Sequence, residues 1–362
     1  MRIMHASDCY LPRVGGIELH VRDLAAGQQA DGHSVTVVTR TPAGETTDPD
    51  HVLRVRDQKR GKDWLRTLAP DAVHAHVSVI SPFALATARR AALLGIPTVV
   101  TVHSLWTQAG PLPVLARDLW GMSHWPVTWT AVSERAALPV HDLLGVPVHV
   151  LPNAVDLDSW APAPRSPDGP PRVLSVMRLT TVKRAGPLAR ILDRVAQETA
   201  LHATIVGDGP ERGALERYLR RHDLDDRVEL TGALDRAAIR DHLSRASVFL
   251  APAHRESFGI AALEARTSGV PVVASARSGV PTFIEHGTDG LLGGDDDELV
   301  EHVVRLLTDA DLRGGIAWHN RAVTPDFGWP SALARNEELY RVATDSAKRT
   351  AGPHRRRGVG VG

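Results

Sequence analysis

The sequence predicts an α/β protein built as two doubly wound, Rossmann-like domains facing across a cleft. Three observations predict it. Short β-rich runs alternate with longer helical ones, the pattern of mostly parallel sheets covered by helices. One stretch, residues 161–171, breaks that alternation with five prolines in eleven residues. The length, 362 residues, exceeds one ordinary hydrophobic core and favours a split in two.

Taken in order, strands are expected at 3–7, 35–39, 72–77, 98–102, 129–132 and 148–151, with helices at 17–30, 82–94 and 134–144 between them. These make a first domain over 1–160. Proline cannot sit in a helix interior or a central strand, so 161–171 reads as a linker. Alternation then resumes with strands at 173–176, 203–206, 228–230, 248–250 and 272–274, giving a second domain over 172–325. A closing helix is expected within 326–346, centred on 331–345. Lys348, Arg349 and Arg355-Arg356-Arg357 among terminal glycines mark 347–362 as a disordered basic tail.

Composition narrows the class. Hydrophobic residues make up 43% and charged residues 23%, ordinary values for a soluble globular protein. Forty-two basic residues balance 42 acidic ones, so no global field draws the protein to nucleic acid. The single cysteine, Cys9, excludes an internal disulfide and fits a reducing compartment. No apolar run reaches the ~18 residues that span a bilayer. The start of the chain reads as a first strand rather than a signal peptide, so a cytoplasmic location is expected.

The densest chemical signal is the stretch from His254 to Ala265. Glu256 and Glu264 stand eight apart, one in a loop after a strand and one in the helix that follows. Gly269-Val270-Pro271 ends that helix before the next strand. A helix N-terminus at the carboxyl edge of a parallel sheet suits an anionic phosphate. Carboxylates repel phosphate and suit hydroxyl groups instead. A ligand carrying both phosphates and sugars satisfies both halves of the stretch.

Other candidates fall at strand ends. Gly15-Gly16 in the first strand-to-helix turn would let backbone amides approach a phosphate. Arg178 and Lys183, five apart after the first strand of the second domain, could clamp a diphosphate. Lys59, Lys62, Lys183 and Lys348 are the only lysines, which singles out Lys183. Gly207-Asp208-Gly209-Pro210 fails the dinucleotide fingerprint and reads as a turn packed near a nucleotide base. His103 ends a strand at the carboxyl edge, where cleft residues belong.

The remaining signals weigh toward structure. His74 and His76 alternate on one strand and read as packing residues, with no carboxylate or cysteine spaced to complete a zinc site. No metal is therefore expected. Asp156-Leu157-Asp158 lies just before the proline-rich stretch and reads as incidental; Asp295-Asp296-Asp297 suits a helix start. Trp106, Trp120, Trp125 and Trp129 crowd into 24 residues. They form either a packing cluster or an exposed segment that binds a lipid-linked or glycan acceptor, with peripheral membrane contact.

Together these fragments resemble the family-4 retaining glycosyltransferases of GT-B fold. The resemblance runs to about Tyr340, through Gly15-Gly16-Ile17-Glu18, Gly32-His33-Ser34-Val35, Val102-His103 and Ala131-Val132-Ser133-Glu134. It continues through Leu151-Pro152-Asn153-Ala154-Val155-Asp156, Arg178 to Lys183, Gly207 to Pro210, Glu256 to Glu264 and Gly269-Val270-Pro271-Val272. It implies an acceptor domain first and a nucleotide-sugar donor domain second. Glu256 would bind the donor sugar's hydroxyls and Glu264 the ribose. Backbone amides of Phe258, Gly259 and Ile260 would line the sugar and phosphate. Arg178 and Lys183 would hold the diphosphate, Gly16 would approach it from the other domain, and His103 would lie near the transferred sugar.

The implied reaction moves a hexose from a nucleoside-diphosphate sugar to an acceptor with its anomeric configuration retained. It needs no cofactor beyond the co-substrate and no metal. Three positions depart from the family pattern: Ala154 and Arg184 replace common glycines, and Thr282 replaces a common glutamate after Pro281. Two other readings keep the fold: a sugar-nucleotide-binding protein without turnover, and a sugar-nucleotide epimerase. Joint retention of Glu256, Glu264, Arg178 and Lys183 favours the transferase.

Overall fold

The computed structural model describes residues 1–13, 15–44, 48–55, 61–106, 112–163 and 169–351. It resolves into two compact units, Met1–Ala154 with Trp329–Gly362, and Val155–Gly328.

The first unit runs β1 (Arg2–Ser7), α1 (Gly16–Ala30), β2 (Ser34–Thr39), β3 (Val52–Arg54), α2 (Gly61–Leu68), β4 (Ala72–Val77) and α3 (Pro82–Leu93). It continues with β5 (Thr98–Val102), α4 (Leu112–Trp120), β6 (Thr128–Ala131), α5 (Glu134–Leu144) and β7 (Val148–Val150). The second unit contributes β8 (Val173–Val176), α6 (Ala185–Glu198), β9 (Ala203–Val206), α7 (Arg212–Arg221), β10 (Val228–Gly232), α8 (Arg236–Arg245) and β11 (Val248–Ala251). There follow α9 (Ile260–Thr267), β12 (Val272–Ser275), β13 (Gly290–Gly293), α10 (Asp296–Thr308) and α11 (Ala310–Ala322), and α12 (Trp329–Ala351) returns to the first unit.

Both sheets are parallel and doubly wound. The first has strand order β3-β2-β1-β4-β5-β6-β7 and the second β10-β9-β8-β11-β12-β13. Winding reverses between β1 and β4 in one and between β8 and β11 in the other. Helices leave in opposite directions there, so the loops after those strands open a crevice at the carboxyl edge.

Parallel strands buried on both faces need apolar side chains on both, which the valine-rich runs supply. In β1, Ile3 packs with Val21, Val35, Val99 and Tyr340 on one face. Met4 packs with Val73, Phe83 and Ala91 on the other. The second unit centres on Val173, Ile205, Val248, Leu250 and Val273, covered by Leu188, Leu192, Val303 and Leu306.

Short or glycine-bounded elements escaped the sequence reading. β3 has three residues, and β13 is Gly-Leu-Leu-Gly, whose ends read as turns. Gly290 is required in β13, because a Cβ there would lie 2.1 Å from the Val272 carbonyl oxygen. α2, α4 and α11 are also additions; the expected helix start at Asp295-Asp296-Asp297 is α10, whose cap Asp295 accepts from the Glu298 amide at 3.0 Å. α12 runs through Lys348 and Arg349 to Ala351, cations at a helix C-terminus being favourable. Residues 352–362 of the expected tail and 164–168 of the proline-rich stretch lie outside the described residues.

Candidate functional site

In the second unit, the loops after β8 and β11 flank the winding reversal, and they carry the cations and acids that the sequence singled out. Lys183 Nζ donates to Glu256 Oε2 at 2.5 Å, both side chains partly exposed. Arg178 lies on the same loop as Lys183, exposed, with no side-chain partner among the described residues. Its guanidinium is therefore available to an incoming anion.

Arg184 holds these loops together. Its guanidinium grips both oxygens of Asp296 at 2.8 Å and donates to the Pro252 carbonyl at 3.0 Å. The residue sits at φ +65°, a left-handed conformation that glycine adopts without strain. The departure noted in the sequence thus trades backbone ease for a bidentate clamp between the β8 loop, the β11 loop and α10.

Downstream of Glu256, α9 begins at Ile260 after Gly259, whose φ is +101°. A Cβ on Gly259 would come within 2.7 Å of Val280 Cγ2. The amides of Gly259, Ile260 and Ala261 have no acceptor among the described residues, as expected of a first helical turn. They concentrate partial positive charge beside Lys183 and Glu256. The Phe258 side chain is buried against Phe283 and Phe327 and anchors the turn.

One turn into α9, Glu264 is buried, with no hydrogen-bond partner for its carboxyl among the described residues. Burial pushes the carboxyl up to about 7, against the pull of Arg236. A buried carboxyl without a partner is costly, and a ligand hydroxyl would relieve it.

Gly207 and Gly209 have an architectural reason. Their φ values are +140° and +157°, and added Cβ atoms would lie 1.8 Å from the Met177 oxygen and 2.3 Å from the Leu179 oxygen. The Gly207 amide donates to Gly232 O, and the Gly209 amide to Asp208 Oδ1. The two glycines let the β9 loop press on the backbone that carries Arg178. The sequence reading missed Gly279: its Cβ would meet Ser257 O at 2.1 Å, and its amide donates to Glu256 O at 2.8 Å. That contact fixes the turn between Glu256 and α9.

At the carboxyl edge of the first sheet, Gly15 caps α1 and Gly16 opens it. A Cβ on Gly15 would lie 2.5 Å from Glu18 Oε2, and Glu18 is buried with Arg13 at 3.3 Å. His103 follows β5 and is buried, its Nε2 3.0 Å from His76 Nδ1. Burial holds His103 well below the ordinary imidazole range. His20 on α1 stacks on Trp329 and lies 5.5 Å from the His103 ring, with Nδ1 buried and unpartnered among the described residues.

Behind His103 stand more buried histidines than the sequence reading joined together. Parallel register sets His5 beside His74, placing His5, His74 and His76 on one face. Their nearest nitrogens lie within 4.8 Å of one another, a spacing that could hold a metal ion. All six of their nitrogens are already engaged, with Gln28, Tyr340, Thr101, His103 and one another. The cluster is therefore complete as a hydrogen-bond network. The legible signal was three histidines in buried, otherwise apolar strands.

Other sequence candidates resolve locally. Both Asp156 oxygens cap their own turn, accepting from the Ser159 amide and hydroxyl at 3.1 and 2.6 Å. Trp120, Trp125 and Trp129 stack in succession and Trp106 meets Trp129 edge-to-face, a packing cluster. The exposed apolar side chains nearby are Val114, Leu115 and Leu119 of α4. Residues 107–111 of this segment lie outside the described residues. Among the described residues, no helix is long and apolar enough to cross a membrane.

Comparison with known proteins assigns both units to kindred sequences. The family described as glycosyltransferase family 4 matches residues 14–159, and glycosyl transferases group 1 matches residues 170–309. The chain is 28% identical over 401 residues to the glycogen synthase of Mycobacterium tuberculosis, covering 95% of each. It is 28% identical over 378 residues to a subunit of the human phosphatidylinositol N-acetylglucosaminyltransferase, covering 95% of this chain and 77% of that one. Among solved structures, sucrose-phosphate synthase from Thermosynechococcus elongatus superposes with TM-score 0.76 at 19% identity, over 95% of this chain and 99% of that one. Anabaena HepE in complex with UDP and glucose gives 0.75 at 19% identity, over 94% and 99%.

Proposed function

The chain belongs to the family-4 glycosyltransferases of GT-B fold, and we propose that it transfers a hexose from a nucleoside-diphosphate sugar with retention of anomeric configuration. The supporting observation is the Lys183–Glu256 pair set beside the open amides of α9, with exposed Arg178 on the same loop. One small region thus offers cations and amides for a diphosphate and carboxylates for hydroxyls.

In this mechanism the diphosphate draws Lys183 from Glu256, which frees that carboxylate for the sugar hydroxyls. Arg178, Lys183 and the amides of Gly259 and Ile260 stabilise negative charge as the anomeric C–O bond breaks. Glu264 accepts from the ribose. The acceptor oxygen attacks the face the diphosphate is leaving, and its proton passes to the departing phosphate oxygen. No protein side chain is assigned as general base. Fixed cations supply the charge stabilisation, so no metal is required. Gly15, Gly16 and His103 are assigned to ligand contact at the carboxyl edge of the first sheet, His103 toward a sugar hydroxyl.

One relative is by name a glycogen synthase and another glycosylates phosphatidylinositol, so glycan and lipid-linked acceptors are both represented among them. Exposed Val114, Leu115 and Leu119 suit an apolar acceptor or peripheral membrane contact in the cytoplasm. Thermal-shift screening against UDP-, GDP- and ADP-sugars tests the donor, since a ligand raises the melting temperature by mass action. Anomeric analysis of the product by NMR then tests retention. Stabilisation by NAD and by none of the sugar nucleotides would refute the reading.

A further inference from the structure

Two cross-links join the loop after β8 to the loop after β11. The inner one is the ion pair of Lys183 with Glu256. The outer one belongs to the next residue along, Arg184, which donates to the Pro252 carbonyl at 3.0 Å and holds both Asp296 oxygens at 2.8 Å. In the proposed mechanism a diphosphate breaks the inner link. The outer link lies outside that exchange, because its carboxylate has both oxygens engaged and its carbonyl is backbone. Burial raises the Asp296 carboxyl, and the Arg184 guanidinium more than offsets it, leaving the group below its ordinary range.

Both loops are pinned elsewhere as well. Thr181 Oγ1 donates to Glu211 Oε1 at 3.1 Å, fastening the Lys183 loop to the loop after β9. The Glu256 loop is held at every second residue. Arg184 holds Pro252, His254 Nδ1 lies 2.6 Å from Ser275 Oγ, and the Glu256 carbonyl accepts from the Gly279 amide at 2.8 Å. Among these contacts, that of Arg184 joins the two loops to each other through groups not assigned to the donor. A glycine at 184, the common residue of the family pattern, would suit the φ of +65° and leave the outer link unmade.

We propose that Arg184 is a positioning residue for the donor: its clamp holds the Lys183 and Glu256 loops at a fixed span, so that the two side chains stay opposed when a diphosphate and a sugar hydroxyl part them. The ligand half of this rests on the transferase reading, while the fixed span stands without it. Where the clamp is missing, the donor itself must order the two loops, and that cost falls on binding. Affinity for the donor then depends on a side chain that does not touch it.

Two measurements test the clamp, one of them free of any donor. Lys59, Lys62 and Lys348 are the only lysines besides Lys183. Limited acetylation of the full chain, read by peptide mass spectrometry, therefore reports Lys183 against exposed Lys348. Arg184→Gly relieves the backbone and removes the clamp, and relative labelling of Lys183 is expected to rise several-fold. Steady-state kinetics should show the donor KM raised about tenfold with kcat within about twofold, the pattern of a lost contribution to ordering. A merely structural loss would lower the active fraction, and so kcat, at unchanged KM.

Asp296→Asn removes the charge that Arg184 grips and should raise both readouts in the same direction. The double variant should match Arg184→Gly, since the two residues act as one unit. Asp296→Asn also carries the test if Arg184→Gly fails to fold. A donor KM unchanged in both single variants overturns the proposal, and so does an unchanged relative labelling of Lys183. Effects of the two substitutions that multiply independently overturn it as well. If labelling rises as stated but the unaltered protein turns over no sugar nucleotide, the transferase reading falls and the fixed span stands.

Discussion

Lys183 Nζ rests 2.5 Å from Glu256 Oε2, so each group proposed for the donor is neutralised by the other. The pair keeps two charges satisfied at a partly exposed edge, and in the proposed mechanism gives them up together to diphosphate and sugar. This exchange makes the two residues one unit.

Lys183→Ala is expected to lower the transfer rate about 10²- to 10³-fold, the usual cost of one lost donor to developing charge. Unfolding free energy should move by less than about 1 kcal/mol, because a partly exposed ion pair contributes little. Steady-state kinetics and urea denaturation separate the two. On the proposed mechanism transfer should also survive EDTA, because Arg178 and Lys183 would supply the charge stabilisation.

Glu264 predicts a pH-dependent stability. Its folded value of about 7 exceeds the ordinary 4.5, so the native state holds the proton more tightly than the unfolded chain. Stability of the unliganded protein therefore falls as pH rises from about 4.5 to about 7, by at most about 1.4 kcal/mol per unit. Glu264→Gln should flatten that slope in urea unfolding at pH 5 and 7. A slope identical to that of the unaltered protein would show that Glu264 does not titrate in this window.

Arg184 gives a test in which glycine outperforms alanine at a helix N-terminus. Arg184→Ala keeps the left-handed strain and loses the Asp296 clamp, whereas Arg184→Gly loses only the clamp. Thermal unfolding should rank glycine above alanine by about 1 kcal/mol.

Gly279→Ala drives a Cβ into Ser257 O, which must displace the turn that presents Glu256. The expected cost is about 1–3 kcal/mol of stability, as in overpacked cores, with transfer falling further than stability explains. Gly287→Ala serves as a control with open space around it, although its φ of +87° carries backbone strain alone.

Much of this architecture was legible because parallel strands buried on both faces must be apolar runs, and glycine or proline must end them. Glu256, Glu264, Arg178 and Lys183 announced themselves by falling at strand and helix ends. Their partners did not. Asp296 is 112 residues from Arg184, and Gly279 meets Ser257 through backbone alone. The histidine network needed register: His5 and His74 are distant in sequence and adjacent only once β1 lies beside β4. Gly207 and Gly209 showed the converse difficulty, a motif whose glycines serve close backbone packing.

The second unit begins at Val155 and ends at Gly328, and those two residues form a β-bridge, with the Val155 amide donating to Phe327 O at 3.0 Å. It is therefore an uninterrupted length of chain fastened at its own mouth, the arrangement of an excisable module. The first unit has no such independence. Shortening the gene from its 3′ end removes α12 and with it Tyr340, so a truncation intended to isolate the N-terminal half would strip the lining from its own interior.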